Sequence, residues 1–297
     1  MTTLLLGRDE DPCCQLVQEQ LLDAGRDVWF LPEDRLFPDL RLTWTPSSAG
    51  RDGVIDYRSR RVRFAEIGGV LCRLYGIPVS PEDFATPDGQ YISAEWNALL
   101  MAWLPRMTCR VVNRLRPELW YKQHLNVPEL ASLVPGIRFK RPLTLVTTVI
   151  DEARAFWRSA PGAVRYSPLT QPARYRIQAE EDWERLAALE GSLPFHLTEW
   201  IEGRAVDALV IGSAVVPIDP HGGSDGEIPV RVETHCVEIG VALGLDFFRL
   251  SLVRTIDSDW YCLGLDRTPQ LYGYAPEDQM RIAGSLARLL TAGAEHP

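Results

Sequence analysis

Apolar positions fall in short runs that switch period several times over the first 115 residues. Leu4-Leu5-Leu6 before Gly7 reads as a buried strand, Cys13 to Ala24 has helical spacing closed by Gly25, and Val28-Trp29-Phe30-Leu31 is apolar throughout. Strand, helix, strand in that order predicts the opening of a parallel α/β sheet. Leu40 to Trp44 and Val54 to Phe64 read as a hairpin-like insertion, and Gly69 to Leu74 resumes the buried sheet. Tyr91 to Met107 returns to helical spacing and Val111-Val112-Asn113 predicts a further strand. Residues 1–115 are therefore expected to form one α/β domain.

Beyond residue 115 the pattern changes. Pro117, suited to a first helical turn, predicts a helix to about Leu133, and Leu143 to Val146 is β-branched enough for a strand. Short strands separated by turns follow: Ala163 to Tyr166, Arg174 to Ile177, Phe195 to Ile201, Val206 to Ile211 and Ala214 to Ile218, with a helix near Asp182 to Leu189 between them. Val230 to Leu243 predicts a helix ending at Gly244, Phe247 to Arg254 and Trp260 to Leu265 paired strands, and Pro276 to Thr291 a closing amphipathic helix. The expectation is α/β followed by α+β: a parallel-sheet domain over 1–115, then antiparallel subdomains over 116–200 and 201–297.

Composition narrows the function classes. With 297 residues, 46% hydrophobic and 24% charged, the chain has the make-up of a globular protein of two or three domains. A net charge of −9 argues against nucleic acid as a partner, because phosphate-backbone binding needs a cationic face. No apolar run reaches the ~18 residues of a bilayer span, and the N-terminus lacks a basic n-region and a small-residue cleavage site, so a cytoplasmic protein without a membrane partner is expected. Six cysteines (Cys13, Cys14, Cys72, Cys109, Cys236, Cys262) show no C-x-x-C spacing and no His at ligand distance, which predicts reduced, mostly buried thiols. Lys122 and Lys140 are the only lysines, so a lysine at a chemical position stands out.

Several local features carry two readings. Asp219-x-His221-x-x-x-Asp225-x-Glu227 combines ligand types that suit divalent ions, while its glycines describe a solvated loop. Cys13-Cys14 lie near a helix N-terminus, where the dipole lowers a thiol pKa, yet neighbouring helical residues point about 100° apart, which predicts one thiol in the core and one half exposed. His124 and His196 are expected to be satisfied structural histidines, and the tryptophans to fill cores. Arg73 ends a buried strand, where open α/β sheets bind ligands, and a structural ion pair with a neighbouring carboxylate is its other reading.

The order of these elements, with Val111-Val112-Asn113-Arg114 leading into Tyr121-Lys122-Gln123 and then Arg141-Pro142-Leu143-Thr144-Leu145-Val146-Thr147-Thr148, resembles the ATP-grasp superfamily. It is most similar to the branch of ribosomal-protein glutamate ligases and microviridin-type peptide-macrocyclising ligases. Gly69-Val70-Leu71-Cys72-Arg73, the hinge-like Thr198-Glu199-Trp200-Ile201-Glu202-Gly203, Leu243-Gly244-Leu245-Asp246-Phe247 and Tyr261-Cys262-Leu263-Gly264-Leu265-Asp266 extend the resemblance over most of the chain.

What the resemblance implies is an enzyme that phosphorylates a carboxylate with ATP and passes the acyl group to an amine or hydroxyl. Such chemistry calls for lysines on the phosphates and for carboxylates and an Asn holding Mg²⁺. Lys122 matches the first phosphate-side lysine, Glu199 and Glu202 fall in the nucleotide-binding hinge, Asp266 matches the last metal ligand, and Arg73 and Asn113 would contact substrate. Elsewhere the family pattern is broken. Ser167 stands where the second lysine precedes a proline, Thr198 replaces the hinge Gln, Ala205 and Asp207 stand for an acidic residue and an Arg, Ser251 for the metal-binding Asp, and Gly264-Leu265-Asp266 for Glu-x-Asn.

Cationic charge is thus lost from the phosphates and anionic charge from the metals together. The implied cofactors are ATP and Mg²⁺, and these losses leave open that the chain uses neither. The expectation is a pseudoenzyme, or weakly catalytic homologue, that binds a peptide, nucleotide-like or other small-molecule ligand as an accessory protein of a peptide-modification pathway. The alternative is a working ATP- and Mg²⁺-dependent ligase acting on a peptide. Family enzymes are often dimers or tetramers, so the resemblance admits a homodimer.

Overall fold

A computed structural model describes residues 1–33, 36–45, 53–74, 85–114, 116–120, 122–160, 162–169, 175–188, 194–220 and 227–292. The chain opens with β1 (Thr2–Gly7), buried along its whole length, and α1 (Pro12–Asp23). Asp11 caps α1 by accepting from the Cys13 amide at 2.9 Å, and Pro12 occupies the first turn, where no N–H is missed. The chain turns at Gly25, whose φ of +67° favours glycine, into β2 (Asp27–Pro32). After a hairpin-like layer of β3 (Leu40–Trp44), β4 (Gly53–Tyr57) and β5 (Arg60–Arg63), β6 (Ile67–Cys72) rejoins the first sheet. Helix α2 (Pro87–Trp103) and β7 (Arg110–Val112) complete a parallel sheet of order β2-β1-β6-β7. This is the expected α/β beginning.

The single helix expected from Pro117 to Leu133 is not formed. A 3₁₀ turn over Pro117–Leu119 is followed by the two-residue strand β8 (His124–Leu125) and then by α3 (Val127–Leu133). Two forces break it. His124 and Leu125 pair with the last strand of the chain, and Asn126 starts a new helix by exchanging side-chain and backbone hydrogen bonds with Glu129. Next come β9 (Thr144–Thr147), an unanticipated helix α4 (Ile150–Ser159), β10 (Val164–Tyr166), β11 (Tyr175–Ile177), α5 (Glu180–Ala187) and β12 (Phe195–Glu199). The strands form an antiparallel sheet of order β11-β10-β12-β9. Both helices cover one face of it, packing Ala153, Trp183 and Leu186 on Val164, Phe195 and Leu197, with Trp157 stacked on Trp183 at 5.4 Å.

β13 (Arg204–Ile211) and β14 (Ala214–Ile218) form a hairpin around Gly212. Helix α6 (Val230–Leu243) stops at Gly244, whose φ of +65° forms a left-handed cap. β15 (Phe247–Arg254) and β16 (Trp260–Asp266) then complete an antiparallel sheet of order β14-β13-β15-β16-β8. The closing helix α7 (Pro276–Thr291) returns to the first sheet, and the Leu290 carbonyl comes so near Gly69 that a Cβ there would lie 2.5 Å from it. One core joins the two halves: Leu5, Val17, Leu71 and Val112 pack with Leu209, Ile211, Phe247 and Leu286.

Cys13 and Cys14 are both fully buried in that core, so the expectation of one half-exposed thiol fails. The helix meets the sheet on one side and α7 on the other, and both faces are covered. Burial pushes the Cys13 thiol up to about 11, against the pull of Arg73, and raises Cys14 as well. All six cysteines are free thiols, and five are buried. Among the described residues no helix is long and apolar enough to cross a membrane. Of the segment Asp219 to Glu227, residues 221–226 lie outside the described residues, and Asp219 pairs with Arg204 at 3.2 Å.

Candidate functional site

Alternation along β13 and β15 separates an apolar face from a charged one. Val206, Ala208 and Val210, with Phe248, Leu250 and Leu252, pack under α6. Asp207, Arg249 and Ser251 lie in the opposite phase, and cross-strand register sets Asp207 beside Ser251, Arg249 beside Asp266 and Ser251 beside Gly264. The sheet of β9 to β12 turns its helix-free side, with Arg165, His196 and Thr198, toward this patch. Between the two layers, with His124 to Asn126 and Ser167 to Leu169 at the rim, lies a cavity of about 50 Å³.

Arg249 is the centre of the charged wall. Its Nη1 lies 3.3 Å from Asp207 Oδ2 and 3.3 Å from the Tyr274 hydroxyl, and its Nη2 lies 3.1 Å from Asp266 Oδ2. Tyr274 donates in turn to Asp207 at 3.4 Å, and Asp266 Oδ1 accepts from the Thr268 amide at 2.9 Å, with His124 Nδ1 3.8 Å away. Burial works against the charge on Arg249, but Asp207, Tyr274 and Asp266 outweigh it, and its pKa rises. Burial also lifts the Tyr274 phenol to about 12, so it stays a donor at neutral pH. The guanidinium therefore spans two carboxylates as a fixed internal cation.

Across the cavity, His196 is 3% exposed and neither ring nitrogen makes a hydrogen bond. The expectation of a satisfied structural histidine fails here. Burial lowers its pKa, Arg165 adds to the effect, and the Ser167 backbone and Glu129 oppose it only in part, so the ring is neutral at pH 7. Arg165, one strand over, is 7% exposed.

Of the six residues singled out in the sequence, Asp266 alone lines this cavity among the described residues. Lys122 is half exposed and bound to Glu129 at 2.5 Å. The Glu199 amide donates to the Leu143 carbonyl at the end of β12, and Glu202 pairs with Arg176 at 3.0 Å, whose guanidinium stacks 4.4 Å from the Trp200 ring. Arg73 forms the ion pair that was its other reading, 2.6 Å from Asp11 and 3.0 Å from the Pro269 carbonyl. Asn113 donates to the carbonyls of Phe247 and Arg267 and accepts from the amides of Asp246 and Phe247, stitching the first sheet to β15. All of its amide's hydrogen-bonding positions are thereby used within the chain.

Sequence reasoning passed over Arg249. The available signal was a charged residue in the phase of Ser251 within Phe247-Phe248-Arg249-Leu250-Ser251-Leu252, two positions from the residue matched to the metal-binding Asp.

No protein-family model matches the sequence, and no curated protein matches it by sequence. Solved structures do match over nearly the whole chain. One is the macrocyclase MdnC of Microcystis aeruginosa bound with precursor peptide MdnA, with a TM-score of 0.78 and 15% identity over 98% of this chain and 100% of that one. Another is the ATP-grasp ligase PsnB complexed with precursor peptide PsnA2 and AMPPNP, with 0.76 and 21% over 99% and 97%. A third is a RiPP-associated ATP-grasp ligase of Chryseobacterium gregarium in complex with ADP and a leader and core peptide, with 0.75 and 16% over 100% and 97%. A parallel sheet followed by two antiparallel layers that face each other across a cleft, matched along its length by these ligases, gives this chain the ATP-grasp fold.

Proposed function

We propose that this chain is a diverged ATP-grasp protein of a peptide-modification pathway, binding a peptide ligand without ordinary Mg²⁺-dependent phosphoryl transfer. The peptide part of the reading is supported by the precursor peptides bound to MdnC and PsnB. The observation that carries the rest is Arg249, seated between Asp207 and Asp266.

Mg²⁺ requires near-octahedral oxygen ligation, normally from one or two carboxylates with phosphates and water. Among the described residues the carboxylates here are Asp207 and Asp266, and both face the guanidinium. An ion entering beside them would meet Arg249 at close range, where each pair of like unit charges 4 Å apart repels by about 4 kcal/mol at an effective dielectric near 20. The described residues therefore do not fit a metal. With Ser167 in place of a lysine, and a cavity of about 50 Å³ against the roughly 300–1,000 Å³ of clefts that engulf a drug-sized ligand, the nucleotide fits no better.

Calorimetric titration with ATP, with and without Mg²⁺, on the wild type and on Lys122→Ala, tests the reading. The expected result is no Mg²⁺-dependent heat in either protein. Micromolar Mg²⁺-dependent binding that disappears in Lys122→Ala would overturn it in favour of an active ligase, with Lys122 on the phosphates and Asp266 on the metal.

A further inference from the structure

We propose that the outward side of α6 is a docking face for a short amphipathic helix that carries Lys or Arg beside its apolar positions. The proposal goes beyond the reading above and does not depend on it, because α6 covers the apolar face of its sheet and the cleft lies on the other. Helix α6 is apolar on two sides. Val232, Cys236, Ile239 and Leu243 are buried against the sheet. Val230, Thr234, Val237 and Val241, spaced by four, three and four residues, form a second stripe about 150° round the axis at 3.6 residues per turn. Val230 and Val241 are each 76% exposed and Val237 is half-buried. The Thr234 hydroxyl donates to the Val230 carbonyl at 2.9 Å, which satisfies its polar end within the helix. On a solvent-facing helix a β-branched valine loses rotamer freedom with no burial in return, so a stripe that keeps three of them is explained by a partner that covers it.

The chemistry of the partner follows from what borders the stripe. A groove of about 480 Å³ runs between Ser213, at the β13–β14 turn, and Thr234, Val237, Val241 and Ala242 of the helix. Glu233 and Glu238 stand on the two flanks of the stripe. Among the described residues Glu233 forms no ion pair, and Glu238 meets Arg138 at 3.5 Å with the side chains 47% and 62% exposed. Both carboxylates are open to a cation that a partner brings, whereas an acidic segment would be repelled. The four-three-four spacing is that of one helix laid along another. Size then separates a peptide from a second copy of this chain. α6 has 14 residues and is about 21 Å long, so a helix about 10 Å wide laid along it covers roughly 200 Å² per partner, against about 800 Å² in a stable dimer. A second copy held by this stripe falls short of that and brings the same two glutamates to the flanks.

The test titrates the whole protein at low salt with two synthetic peptides of about 15 residues, both with leucine at the stripe spacing, one flanked by lysines and one by glutamates. The lysine peptide should bind at about 100 μM or tighter and weaken as salt rises, and the glutamate peptide should not bind. The double variant Val230→Ser, Val241→Ser, at two exposed sites and with no change of charge, should weaken binding about tenfold or more. Glu233→Gln with Glu238→Gln should remove most of the salt dependence. Hydrogen exchange of the wild type gives a readout free of any variant: the lysine peptide should protect α6 and the β13–β14 turn and leave the layer of β9 to β12 unchanged. Silence of the lysine peptide up to about 1 mM, equal binding of both peptides, or binding indifferent to the valine variant overturns the proposal. The last result would mean that the net charge of −9, and not this face, attracts the peptide. A concentration-dependent dimer in sedimentation that the valine variant dissolves overturns it in favour of a second copy. None of these outcomes bears on the ATP titration, which tests the cleft.

Discussion

Arg73 and Arg249 each bind aspartate on or just beyond a strand, and their surroundings give them different work. The Arg73 side chain is 1% exposed and its partner Asp11 3%, with the Pro269 carbonyl as a further acceptor and the Phe247 ring beside the guanidinium. Arg249 is 22% exposed, divides itself between Asp207 and Asp266, and borders a cavity. An ion pair sealed from water fixes two parts of the fold against each other. A cation shared by two carboxylates at a cleft wall can trade an acceptor for a ligand at little cost. The same ion types thus make a sealed rivet in one place and a cleft wall in the other.

Breaking the rivet should give the largest effect. Arg73→Met leaves Asp11 charged and buried, and loss of one partner from such a pair costs about 3–5 kcal/mol. Urea unfolding should show a drop of that size, with much of it recovered when Asp11→Leu is added and no charge is left stranded. Asp11 also caps α1, so the recovery stays short by about 1 kcal/mol. Equal losses for the single and the double variant would mean that packing of the arginine stem, not the pair, holds the junction.

Arg249→Met should cost less, on the order of 1–3 kcal/mol, since water reaches the carboxylates it uncovers. The loss should shrink as salt is raised, because the new term is repulsion between Asp207 and Asp266 across a partly wet cleft and is screened. Arg73→Met, being dry, should be nearly insensitive to salt. A salt response of equal size in both variants would dissolve the distinction between the two sites.

The cleft has a second signature in its acid response. The folded pKa of His196 lies below its ordinary value of 6.5, with burial the main cause. Its contribution is fully present above 6.5 and is lost as the pH falls through the folded value, because the unfolded chain then binds the proton more readily. His196→Leu should accordingly flatten the decline in stability below pH 6.5, measured by urea midpoints. An unchanged slope in His196→Leu would mean that other groups set the acid limit.

How far these sites could be read in advance follows the range of the interactions behind them. β1, β2 and β6 are continuous apolar runs, and α6 and α7 are periodic segments with a glycine stop or a proline start, so local pattern suffices for them. The expected helix from Pro117 failed because the competitor, pairing of His124 and Leu125 with β16, lies 140 residues away in the chain and leaves no local trace. Helix α4 left a weaker signal: Asp151, Glu152 and Arg158 are exposed, and Ala153 alone is buried. In the cleft, Asp266 was legible through the family resemblance, but Arg249 acquires its meaning only from the register that sets it beside Asp266, and of Asp207 beside Ser251. His196 was misjudged for the same reason: whether a histidine finds partners depends on the layer opposite.

The smallest effect belongs to Lys122, and it completes the gradient. Its pair with Glu129 is short, 2.5 Å, yet the two side chains are 45% and 26% exposed. Water screens such a pair and two long side chains lose rotamer freedom in making it, so Lys122→Ala should cost about 0–1 kcal/mol. Glu129→Ala should cost more, by about 1 kcal/mol, because Glu129 also accepts from the Asn126 amide at the start of α3, and that cap is lost with it. Ranking Arg73, Arg249 and Lys122 in one urea series therefore asks whether enclosure, rather than distance, orders the three cations. The Lys122 contact and the Arg73 contact differ by only 0.1 Å, 2.5 against 2.6 Å, so distance predicts equal losses and enclosure predicts a gap of several kcal/mol. A Lys122→Ala loss as large as that of Arg73→Met would show that the exposed pair is fixed by something more than its solvent-facing partner, and would return Lys122 to the cleft as a residue of function.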